Sequence, residues 1–237
     1  MQHHGTDSTL WEGKDGHPWD IIRNTVIPRE TTLDRYQDIH YVTNNLDNIL
    51  SDYPAIQAMT DTNNIGMSGH SFGALTTQVM GGMLFPNEDN ILTSYKLNRF
   101  KAGILYSPGS VEHLGDFQPA EVYPPLDIPL MHMTGTDDGS PLSDQGYKDI
   151  RLAVYDHTRL ADKYMMILND GDHMVFNGSR GKLGQNPNRD THESLIKLMA
   201  LGFWEIYLKD NQSARDWIQN HAQPYLIDQA DFYYECL

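Results

Sequence analysis

A chain of 237 residues, 39% hydrophobic and 10% aromatic, is long and apolar enough to bury one sizeable α/β core, and a single domain spanning 1–237 is expected. Its 17 Lys and Arg stand against 32 Asp and Glu, a formal charge of −15 spread along the chain, which disfavours nucleic acid and anionic membrane surfaces as partners. One cysteine, Cys236, excludes an intramolecular disulfide; no apolar run is long enough to span a bilayer, and MQHHGTDSTLWEGKDGHPWD lacks the apolar stretch of a signal peptide.

From Thr31, TTLD opens like a capping box with Asp in third place, and Ile39, Val42, Leu46 and Ile49 recur at helical spacings, which predicts one amphipathic helix. Asp61-Thr62-Asn63-Asn64 reads as a turn, and Ile65 to Ser68 as a short buried strand running into Gly69. Phe72 to about Leu84 fits a helix through Ala74, Leu75, Gln78 and Val79, brought to an end by Gly81, Gly82 and Pro86. Ala102–Tyr106 is the next strand, followed by a loop containing Pro119, Pro124, Pro125 and Pro129. Two further strands are read at Leu130–Met133 and Tyr164–Leu168, and Leu195, Met199, Gly202, Phe203 and Ile206 mark a long C-terminal helix. Strands alternating with helices imply a mostly parallel sheet with helices on both faces.

Ligands of such sheets gather at the carboxyl ends of the strands. Ser71 follows the strand at 65–68, Asp137 and Asp138 follow that at 130–133, and His173 follows that at 164–168. Serine, acid, histidine is the chain order of an α/β-hydrolase triad, and IGMSGHSFGALTT carries the G-x-S-x-G of its nucleophile turn. The residue types suit that chemistry. A serine hydroxyl is a poor nucleophile until an imidazole accepts its proton, and the imidazole needs a carboxylate to fix its tautomer and stabilise its charged form. Gly69 and Gly73 serve geometry, because a sharp strand-to-helix turn leaves no room for side chains on either side of the serine.

Blander readings stand beside these. Ser71 also fits a helix N-cap and His173 a solvated loop histidine. G-x-x-D from Gly135 selects Asp138 over Asp137 as the acid, and Asp137 then reads as a turn residue. His132 lies within a strand, and His113 and His157 precede no suitable element. The His3-His4 pair lacks a carboxylate at ligand spacing, and His192-Glu193 lacks the second histidine of a zinc helix, so no metal or cofactor is called for. NGS at 177–179 and NQS at 211–213 have the form of glycosylation sequons.

GHSFGA, MTGTDDGSP and KYMMILNDGDHMVFNG resemble the serine α/β hydrolases of the dienelactone-hydrolase-like and platelet-activating-factor-acetylhydrolase-like families. LDRYQDIHYVTNNL is similar to the helix before the nucleophile turn, and FWEIYLKDNQSARDWI to the closing helix, so the resemblance runs the length of the chain. It implies a carboxylic-ester hydrolase acting on small-molecule esters, with Ser71 as nucleophile, Asp138 as acid, His173 as base and the Phe72 N–H as one oxyanion donor. True dienelactone hydrolases carry a cysteine where this chain has Ser71, so the family name says little about substrate.

The resemblance aligns HHGTDSTLW, residues 3–11, with the end of the family's fourth strand, which implies that the earlier strands and the loop supplying the second oxyanion donor precede residue 1. On the competing reading, HHG at 3–5 is itself the oxyanion loop. A truncated or binding-only homologue with an incomplete oxyanion hole is the alternative to an active esterase, since one missing donor costs about two to three orders of magnitude in rate.

Overall fold

The computed structural model describes residues 3, 6, 10, 12–16, 18–109, 111, 117–140, 144–178 and 186–237. The helices α1 (Pro18–Arg23), α2 (Arg29–Asn44), α3 (Leu46–Ser51) and α4 (Pro54–Gln57) precede β1 (Ile65–His70), which runs directly into α5 (Phe72–Gly81). A hairpin of β2 (Leu84–Pro86) and β3 (Leu92–Ser94) leads to β4 (Phe100–Tyr106). The short α6 (Pro119–Val122) precedes β5 (Leu130–Asp137), and α7 (Tyr147–Ile150) and α8 (Ala153–His157) precede β6 (Lys163–Asp172). The chain closes with α9 (Arg189–Lys209), α10 (Gln212–Asn220), α11 (Ala222–Leu226) and β7 (Ala230–Glu235).

The fold is α/β. Five strands form one sheet in the order β1-β4-β5-β6-β7, the first four parallel and β7 antiparallel to β6. Alternation along the strands sends side chains into two cores. Ala102 and Ile104 of β4, Met131 and Met133 of β5, and Tyr164, Met166 and Leu168 of β6 face Leu195, Met199, Phe203 and Ile206 of α9. Leu105 and Leu130 face the other way, into a core with Tyr36 and Ile39 of α2 and with Ala74, Val79 and Met80 of α5. Each Leu, Ile, Met or Phe among them taken fully out of water contributes about 1.5–3 kcal/mol, so the central strands are held from both faces.

The strands expected from the sequence are all present, and β5 and β6 run further than their apolar runs. Past Gly135 the ladder shifts register and continues to Asp137 opposite Asp172, with the Asp170 N–H bonded to Thr136 Oγ1 at 2.8 Å. The helix expected from Thr31 is instead two. At Asn45 the backbone leaves helical geometry (φ −102, ψ 9), and both its N–H and its side-chain amide bond the Tyr41 carbonyl. An Asn side chain competing for helix carbonyls is a known helix stop. The break shifts the phase of the apolar stripe: Leu50 is buried, while Ile49, expected in the stripe, is 39% exposed. The helix expected to reach about Leu84 ends at Gly81, and β7 and the β2–β3 hairpin are elements that the sequence reading does not anticipate. No helix among the described residues is long and apolar enough to cross a membrane.

Candidate active site

The carboxyl ends of β1, β4, β5 and β6 lie side by side, and the sequence places a polar residue at each. At the end of β1, Ser71 holds φ 55 and ψ −113, a region that costs a residue with a side chain about 1–3 kcal/mol. The ladder continues through it, since its N–H donates to the Tyr106 carbonyl at 2.9 Å, and its own carbonyl accepts from Ala74 and Leu75 to start α5. Glycines permit the turn: a Cβ on Gly69 would stand 2.2 Å from the Gly73 carbonyl. Although Ser71 occupies the N-cap position, its hydroxyl makes no capping bond, so the N-cap reading does not account for the side chain. Phe72 is the first residue of α5, where N–H groups have no intrahelical acceptor.

Asp138 and His173 meet. His173 Nδ1 lies 2.8 Å from Asp138 Oδ1, with Asp138 fully buried and His173 8% exposed. A carboxylate only accepts, so this contact assigns the proton to Nδ1 and leaves Nε2 as the basic nitrogen. Asp138 Oδ2 accepts from Thr134 Oγ1 at 2.9 Å. Asp137, one residue earlier, is exposed at the end of β5. The approach of β5 to β6 that permits this depends on Gly135, whose Cβ would stand 2.2 Å from the Gly171 carbonyl.

His70, the residue before Ser71, joins the two halves of the site. Its Nε2–H donates to the His173 carbonyl at 2.7 Å, and the two imidazole rings sit 4.6 Å apart. Burial, reinforced by the neighbouring His173, holds the His70 imidazole down at about 3, so it stays neutral. The loop bearing His173 is thereby fastened beside the turn bearing Ser71.

Arg151, just after α7, is 3% exposed and reaches the same place. Its Nη2 lies 3.1 Å from Asp138 Oδ1, 2.9 Å from the Gly139 carbonyl and 3.1 Å from His173 Nδ1. Its Nε donates to the Asp138 carbonyl, and its Nη1 to the carbonyls of Ser107 and Pro108.

Compared with protein-family models and with curated proteins, the chain matches none.

Of the residues singled out in the sequence, Asp138 and His173 are in direct contact, and Ser71, with Phe72 after it, follows the His70 that holds His173. His132 is buried within β5, its Nδ1–H donating to the Tyr164 carbonyl, while His157 bonds the Ala153 carbonyl in α8. His192 donates to the Asn169 carbonyl, and Glu193 pairs with Arg189. Asn211 of the second sequon caps α10, accepting from Ser213 and Ala214. His4, Gly5, His113 and Ser179 lie outside the described residues. Among the described residues no group of three or more His, Cys, Asp or Glu could hold a metal ion. His70, Thr134 and Arg151 are the polar partners that sequence reasoning missed. For Thr134 a signal existed, its spacing of four from Asp138; nothing local marks Arg151.

Proposed function

We propose that this protein is a serine carboxylic-ester hydrolase with an α/β-hydrolase fold. The observation that carries the reading is the Asp138–His173 bond of 2.8 Å, fastened through His70 to a serine held at positive φ between a strand and a helix. In this reading the Ser71 hydroxyl attacks the ester carbonyl while His173 Nε2 takes its proton, and Asp138 stabilises the imidazolium. The tetrahedral oxyanion rests on the Phe72 N–H. Collapse expels the alcohol, which leaves with the proton from His173, and water, activated by the same imidazole, releases the acid and restores Ser71.

Thr6 is joined to the helix that carries Phe72. Thr6 Oγ1 accepts from Arg35 Nη1 at 2.8 Å, Arg35 Nε donates to Thr76 Oγ1, and Thr76 bonds the Phe72 carbonyl. The same guanidinium stacks over the Phe72 ring at 4.8 Å. These contacts tie residue 6 to the first turn of α5, the turn that carries the Phe72 N–H.

Steady-state hydrolysis of short p-nitrophenyl esters tests the reading. The wild type turns them over, and Ser71→Ala reduces kcat by about three orders of magnitude or more with an unchanged fold. Equal turnover by both proteins would overturn it.

A further inference from the structure

We propose that Arg151 is a positioning residue of this site, one that holds the Asp138 carboxylate against His173 and sets its own positive charge beside the imidazole. The inference rests on the ester-hydrolase reading for its consequence, though not for its geometry. Arg151 Nη2 and His173 Nδ1 share one oxygen, Asp138 Oδ1, at 3.1 and 2.8 Å. The guanidinium also stands 3.1 Å from His173 Nδ1 itself. Two nitrogens that each carry a proton cannot donate to one another, so Nδ1 donates to the carboxylate, and the guanidinium, whose own protons go to Asp138 Oδ1 and the Gly139 carbonyl, lies beside it as a second positive neighbour.

Two effects follow, with the same sign. Protonating His173 would place a second cation against Arg151 in a buried site, which is unfavourable. Asp138, already neutralised by Arg151, offers less attraction to an imidazolium than a lone carboxylate would. Of the described neighbours, His70 is neutral, and Asp172 turns its Oδ1 to the N–H groups of Met174 and Val175. Arg151 also has a geometric hold. By binding the carbonyls of Ser107, Pro108, Asp138 and Gly139 it fixes the loops after β4 and β5, and with them the carboxylate. A purely structural role would rest on these carbonyl bonds alone; the charge is what the titration of His173 reports.

Nuclear magnetic resonance titration of the His173 imidazole in the full chain, from pH 4 to 9, separates the two. Arg151→Gln is expected to raise the midpoint by about one pH unit, a tenfold change in the neutral fraction on the acid side. Arg151→Lys, which keeps the charge and loses the fork, is expected to stay near the wild-type value. An unmoved midpoint in Arg151→Gln, or a lysine variant that titrates like the glutamine one, overturns the proposal. Should Arg151→Gln leave Asp138 unpaired and fail to fold, Asp138→Asn is compared with Asp138→Asn/Arg151→Gln, where no carboxylate is stranded. The double variant then titrates at higher pH, and equal midpoints overturn the proposal. These readings need no turnover, so their failure is distinct from that of the esterase reading, which shows as absent ester hydrolysis by the wild type. Where hydrolysis occurs, the acid limb of kcat/KM moves up with the same variants.

Discussion

Asp138 and Asp137 are neighbours with opposite surroundings. One is fully buried and bonded to an imidazole, a hydroxyl and a guanidinium; the other is exposed at the end of β5. Asp138→Asn is therefore expected to lower kcat for p-nitrophenyl esters by about four orders of magnitude, because the amide favours the wrong imidazole tautomer. Asp137→Asn should change it by no more than a few-fold. The pair was separable from sequence because Gly135 ends the apolar run and a turn of fixed length follows, seen here as the Asp138 N–H bonding the Gly135 carbonyl at 3.1 Å. Arg151 was not legible. Its partners lie 12, 13, 22, 43 and 44 residues away, and a buried arginine looks like any surface arginine until the fold brings those groups together. His70 stands within the motif itself, yet its bond to a carbonyl 103 residues away has no local signature.

At the scale of elements, the spacing between β5 and β6 governs the site. Gly135→Ala would put a methyl 2.2 Å from the Gly171 carbonyl, 2.5 Å from its carbon and 2.6 Å from its Cα, all rigid backbone. The strands must part, carrying Asp138 from His173. We expect a loss of about 3 kcal/mol in unfolding free energy together with a steep fall in ester turnover, read by urea denaturation and steady-state rates. Gly146→Ala is the control: its φ is −76 and the nearest atom to the new methyl is a carboxylate oxygen at 3.7 Å, so both quantities should hold. The central strands were legible because each is a compact apolar run ending in glycine or a polar turn. β7 was not, since ADFYYE buries only Ala230 and Phe232, and an antiparallel edge is defined by its partner, β6, rather than by its own residues. Asn45 was misread for a related reason: apolar spacing persists across it, while the bond of its side chain to Tyr41 ends the helix.

Across the whole molecule, several histidines are buried neutral. Burial holds His132 at about 4 and His70 at about 3, and keeps His192 below the usual imidazole range. The unfolded chain protonates these near pH 6.5 while the folded chain does not, so the unfolded state binds more protons and stability falls as pH drops from 6.5 toward 4. Each fully buried histidine steepens this by up to about 1.4 kcal/mol per pH unit. Urea unfolding between pH 7 and 5 should show a falling midpoint, and His132→Leu should flatten it.

The central claim is that Ser71 is a nucleophile activated by His173. Its most direct test is labelling of the intact protein with a fluorophosphonate, followed by mass spectrometry of the peptide containing residues 65–77. A single phosphonyl adduct on Ser71, absent in Ser71→Ala and strongly slowed in His173→Ala, is the predicted result. Labelling at another serine, or none in a folded protein, would contradict it.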